Sequence, residues 1–111
     1  MRPKRLERRT ECPIETTLSV VGGLWKSLNL FALIEEKRRF GELSHLISKA
    51  TPRVLTLHLR ELEADGVISR TVFAEVPPRV EYALTELGVS LEPVLRSLHK
   101  WGEHRLALSA D

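Results

Sequence analysis

A mostly α-helical domain with one small β-hairpin, an α+β fold, is what this sequence predicts. Three observations point to it. Apolar residues recur at helical spacing through most of the chain. The period switches from 3.6 to 2 after Gly66. That switch follows two short helical segments separated only by Ser48-Lys49-Ala50. Two short helices around a tight turn, then a hairpin, make a winged helix-turn-helix, here with further helices at both ends. With 111 residues and 42% apolar side chains, one domain with its own core is expected.

The chain begins with a basic stretch. Residues 1–9 carry Arg2, Lys4, Arg5, Arg8 and Arg9 against Glu7, whereas the remainder holds 12 basic and 14 acidic side chains. Residues 1–11 therefore read as a flexible basic arm ahead of a domain spanning 12–107. Such an arm either lies along a phosphate backbone or is a solvated tail. Cys12-Pro13-Ile14-Glu15 is a helix start: Cys12 at the cap, Pro13 at the first helical position, Glu15 in the positive first turn. Ile14, Leu18 and Val21 line one face, and Gly22-Gly23 ends the helix. The segment Leu24 to Glu36 is apolar on most sides and reads as the buried central helix. Lys37-Arg38-Arg39 interrupts the pattern.

Phe40 to Ile47 has an apolar stripe of Phe40, Leu43, Leu46 and Ile47. After the turn, Thr51 can cap and Pro52 suits the first helical position. Leu55, Leu59 and Leu62 then face a core, and Asp65-Gly66 stops the helix. The opposite side presents Arg53, Thr56, Leu57 and Arg60, with the short polar and basic groups near the N-terminal end, where a major-groove reader needs them. The runs Val67 to Val76 and Arg79 to Leu84 alternate about Pro77-Pro78 as the two strands of the wing. In the first, Ile68, Val72, Ala74 and Val76 share one side. In the second, Val80, Tyr82 and Leu84 do. Arg79 is expected to reach phosphate or the minor groove, whereas Arg70 reads as an ordinary strand-edge charge. Thr85 caps a last helix to about Leu106, in which Leu87, Leu91, Val94, Leu98 and Trp101 form a heptad-like seam, widened by Leu95 and kinked at Pro93. This seam wants a partner, either the first helix of the same chain or a second copy.

Several segments together resemble a known family: Cys12-Pro13-Ile14-Glu15, Gly22-Gly23-Leu24-Trp25-Lys26, Arg39-Phe40-Gly41-Glu42-Leu43, the run Leu55 to Gly66, Pro77-Pro78-Arg79-Val80-Glu81-Tyr82 and Leu84-Thr85-Glu86-Leu87-Gly88. In order and spacing they are similar to the HxlR-type winged-helix transcriptional regulators of bacteria and archaea, from about Cys12 to Gly102. The resemblance implies a homodimer on an inverted-repeat operator of double-stranded DNA, joined through its first and last helices. It also implies a Cys-Pro cysteine that in some members senses electrophiles or oxidants. Two departures stand out. The family often has Lys or Arg where Leu24 stands and Gln where Leu57 stands; a leucine there meets at most a thymine methyl.

The expected DNA contacts are Arg53 and Thr56 at base edges with Arg60 beside them, Ser44, His45, Lys49 and Thr51 at phosphates, and Arg79 from the wing. The expected dimer surface is Ile14, Leu18 and Val21 with Leu87, Leu91, Val94, Leu98 and Trp101. Cys12, at a helix N-terminus near Arg8 and Arg9, is either a sensor with thiolate character or a small buried cap residue. The other readings are a protein-binding winged helix without sequence-specific DNA binding, and no enzyme. No Gly-rich phosphate loop or nucleophile–base spacing appears. His45, His58, His99 and His104 include no i,i+4 pair, so no metal or cofactor is expected, and His45 and His58 read as surface residues near phosphate. A single cysteine excludes an intrachain disulfide. No apolar run approaches a membrane span and no secretory signal is evident, so the expected location is cytoplasmic.

Overall fold

The computed structural model describes residues 12–23 and 25–109. The predicted basic arm, and Leu24 at the predicted start of the second helix, lie outside the described residues. The elements in chain order are α1 (Pro13–Val21), α2 (Lys26–Glu35), β1 (Arg38–Arg39), α3 (Phe40–Leu46), α4 (Pro52–Ala64), β2 (Ile68–Phe73), β3 (Arg79–Leu84), α5 (Glu86–Val89) and α6 (Glu92–Ser109). The fold is thus mostly helical with a small antiparallel sheet, ordered β1-β3-β2.

Helix α2 is the hub against which α1, α3, α4, α6 and β3 pack. Its Leu30 and Leu33 meet Leu43 of α3, the Leu55–Leu59–Leu62 stripe of α4, Val67, and Ile68 and Tyr82 of the sheet. Helix α4 starts and stops as its sequence requires. The Thr51 hydroxyl accepts from the Val54 N–H at 3.2 Å, and Pro52 occupies the first turn. Gly66, with φ of +80°, turns the chain out of the helix through a conformation that disfavours a side chain. The α3 start is held by the Glu42 carboxylate, which accepts from the Arg39 N–H at 2.8 Å. Lys26 is nearly buried and its ammonium lies 2.6 Å from Glu61, tying the hub to α4 by an ion pair.

Four sequence expectations change. Lys37-Arg38-Arg39 is more than an interruption, because Arg38 and Arg39 pair with Tyr82 and Glu81 as a third strand. The first wing strand ends at Phe73, so Ala74 and Val76 belong to the turn, and Val76 is fully exposed. The last helix is two: it breaks at Ser90–Leu91, and Pro93 sits in the first turn of α6, where its missing N–H costs nothing, instead of kinking a continuous helix. Val21 is 3% exposed and belongs to the core, as does half-buried Leu91, so neither lies on an open dimer surface.

Candidate nucleic-acid interface

The outward face of α4 carries the residues expected to face DNA. Arg53, Leu57 and Arg60 are exposed and Thr56 is half-buried. With Val54 they line one shallow depression along the helix. The same residues are turned outward because Leu55, Leu59 and Leu62 are turned in, which is the amphipathic pattern carried into space. At the N-terminal end of this face lie Thr51 and the exposed Lys49 of the turn, with His45 exposed and Ser44 half-buried on α3. The helix N-terminus adds partial positive charge to this end. All the base- and phosphate-contact candidates on α3, the turn and α4 therefore fall on neighbouring elements of the helix-turn-helix.

The wing departs from expectation. The Arg79 guanidinium is paired with Glu75 at 2.9 Å and Glu81 at 2.8 Å, and its Cζ lies 3.9 Å from the Phe73 ring centroid. A guanidinium held by two carboxylates and stacked on a ring is committed to the hairpin. Periodicity placed Arg79 near the wing tip but carried no information about these partners.

His58 also departs. It is partly buried beside Lys26 and Glu61 instead of standing on the DNA-facing surface. Burial holds its imidazole below the ordinary value of 6.5, the Lys26 charge pushes the same way, and Glu61 opposes them. The unfolded chain then takes up a proton near 6.5 while the folded chain still resists it, so acid favours unfolding. Thermal melting at fixed ionic strength is expected to show stability falling as pH drops below 6.5, and His58→Gln to flatten that fall. An identical slope in both proteins would take His58 out of the acid response.

Cys12 is exposed at the N-cap of α1, so the buried-cap reading does not hold for the isolated chain. Ile14 and Leu18 on α1, and Leu98 and Trp101 on α6, are also exposed; Trp101 retains 67% of its surface. Val94 is marginally exposed, and Leu87 is exposed on α5 beyond the helix break. Phe31 stacks on His99 at 5.1 Å, closing α2 against α6. No single helix among the described residues is long and apolar enough to cross a membrane.

A family model described as HxlR-like helix-turn-helix matches residues 20–109. The HTH-type transcriptional regulator YdeP of Bacillus subtilis (strain 168) is 56% identical over 92 residues, covering 83% of this chain and 72% of its own length. A solved structure titled as the redox regulator HypR in its reduced form superposes with a TM-score of 0.84 at 46% identity, covering 90% of this chain and 100% of that one. The oxidised form of HypR gives 0.80 at 49% identity, over 84% and 96%.

Proposed function

This chain belongs to the HxlR-like helix-turn-helix family and is a DNA-binding transcriptional regulator, and from that premise we propose how it reads and releases its operator. Helix α4 enters the major groove. Arg53 and Thr56 meet base edges, Arg60 follows along the groove, and Leu57 touches a thymine methyl. Ser44, His45, Lys49 and Thr51 take the flanking phosphates. The observation that carries this reading is the depression on the outward face of α4 in which Arg53, Thr56 and Arg60 stand beside Val54 and Leu57. Two copies act together on an inverted repeat through the exposed apolar residues Ile14, Leu18, Val94, Leu98 and Trp101.

Similarity to a redox regulator supports a redox response, and the exposed Cys12 is its proposed seat. An oxidant such as diamide takes two electrons and two protons from two thiols. With one cysteine per chain, the product is a disulfide to the other copy or to a small thiol. Electrophiles such as quinones would instead form an adduct at the sulfur. Because α1 belongs to the proposed dimer surface, either product would tilt one reading head against the other.

One assay tests both parts: binding to the intergenic duplex upstream of the protein's own gene, at fixed salt. Arg53→Ala is expected to cost about 1–3 kcal/mol and to relax base preference. Diamide is expected to change wild-type binding and to leave Cys12→Ser unaffected. Unaltered affinity and preference in Arg53→Ala would remove Arg53 from the readout. An equal diamide response in both proteins would remove Cys12 as sensor.

A further inference from the structure

We propose that the wing grips the DNA backbone through Arg70, not Arg79, and that Arg60 and Arg70 form a phosphate cradle between the recognition helix and the wing. This deepens the DNA-binding reading above and rests on it. The register of the hairpin pairs Arg70 with Tyr82 and Phe73 with Arg79. Strand side chains alternate between faces, so Ile68, Arg70 and Val72 share a face with Val80, Tyr82 and Leu84. That face packs toward α4, since Ile68 and Tyr82 are buried in the core with the α4 leucines. Phe73, Arg79 and Glu81 belong to the other face. The two wing arginines therefore serve opposite sides of the hairpin, and Arg70 emerges toward the recognition helix.

Charge separates them as well. On the far face, Arg79 pairs with Glu75 and Glu81, and Lys37 lies 3.6 Å from Glu81. The Arg79 guanidinium is thus offset by two carboxylates at ion-pair distance, which blunts its pull on a phosphate. On the near face, Thr56, Arg60 and Glu63 of α4 and Arg70 and Tyr82 of the sheet line a groove of about 310 Å³. Two guanidiniums face one carboxylate there, so the groove is net positive, and the Thr56 hydroxyl adds a donor. Its volume is on the order of ten water molecules, which accommodates a phosphodiester and its nearest waters. Thr56 and Arg60 also line the depression on the outward face of α4, so the groove runs directly beside the base-reading strip. A backbone phosphate leaving the major groove there meets two planar donor forks, the geometry that suits phosphate oxygens best. Arg79 is then a positioning residue: its ring contact and two ion pairs hold the hairpin at the pitch that presents Arg70.

The test is the salt dependence of duplex binding by full-length wild type, Arg70→Gln and Arg79→Gln, followed by fluorescence anisotropy alongside thermal melting. Each phosphate neutralised contributes about 0.9 to the slope of log affinity against log salt. Arg70→Gln is expected to reduce the slope by about 0.9 per copy engaged, equally on operator and scrambled duplex, with an unchanged melting temperature. Arg79→Gln is expected to melt earlier and keep the wild-type slope. A wild-type slope in Arg70→Gln, or a reduced one in Arg79→Gln, overturns the assignment. Should Arg79→Gln not fold, the Arg70→Gln slope decides alone. Failure of the wild type to bind either duplex overturns the underlying reading and this proposal together, whereas the variant outcomes overturn this proposal only.

Discussion

Leu59→Ala is expected to lower the unfolding free energy by about 2–5 kcal/mol. Leu59 is 1% exposed and sits between fully buried Leu55 and Leu62, where α4 meets the hub helix and the sheet. Truncation removes most of a side chain from a closely packed interior that collapses only in part. The loss combines the lost burial with the cavity left behind. For a domain whose whole stability is about 5–15 kcal/mol, this is a large fraction. Leu57 provides the internal control. Two residues away on the same helix, it is 53% exposed, and Leu57→Ala is expected to change stability by no more than about 0.5 kcal/mol. Urea denaturation of both variants checks this. Similar losses in the two would mean that the packed face of α4 is not the Leu55–Leu59–Leu62 stripe.

The second large effect is expected at Gly88, and its cause is contact with backbone. A Cβ built at Gly88 would lie 2.0 Å from the Val67 carbonyl oxygen and 3.2 Å from the Leu84 side chain. The Val67 oxygen also accepts from the Thr85 N–H at 3.1 Å, and the Thr85 hydroxyl accepts from the Gly88 N–H at 3.1 Å. Nothing nearby can yield by a simple rotamer change, because the obstacle is main chain already engaged in a hydrogen bond. Gly88→Ala is therefore expected to cost about 1–3 kcal/mol or more, with α5 displaced from the start of β2. Gly41 in α3 meets nothing within 4 Å of an added Cβ, so Gly41→Ala is expected to gain about 0.5–1 kcal/mol through helix propensity. Equal melting temperatures for the two variants would contradict this packing.

The contrast between Leu57 and Leu59 shows what the sequence conveys well. Where one face of an element is apolar and its ends carry capping residues, spacing alone assigns its position and orientation, as it does for α4 and for the Val80–Tyr82–Leu84 face of β3. Strand β1 was invisible because two residues are too few to show a period, and both are arginines. The break between α5 and α6 was hidden for the opposite reason. The 4-3-4-3 spacing runs straight through it, and a proline reads the same whether it kinks a helix or begins one. Periodicity also states which residues share a face without saying what that face meets. Val21 shares the spacing of Ile14 and Leu18 but points into the core. The candidate site has the same character: the strip on α4 follows from residue order, whereas the ion pairs that hold Arg79 depend on carboxylates from other positions along the chain.

Helix α6 has 18 residues, a length of about 27 Å, yet Leu95 is its one buried residue. Helices in proteins draw most of their stability from the packing of one face, not from propensity. If the exposed side that carries Leu98 and Trp101 is covered by a second copy, ordering of the C-terminal helix and assembly become one equilibrium, governed by mass action. Apparent stability then depends on the number of chains present.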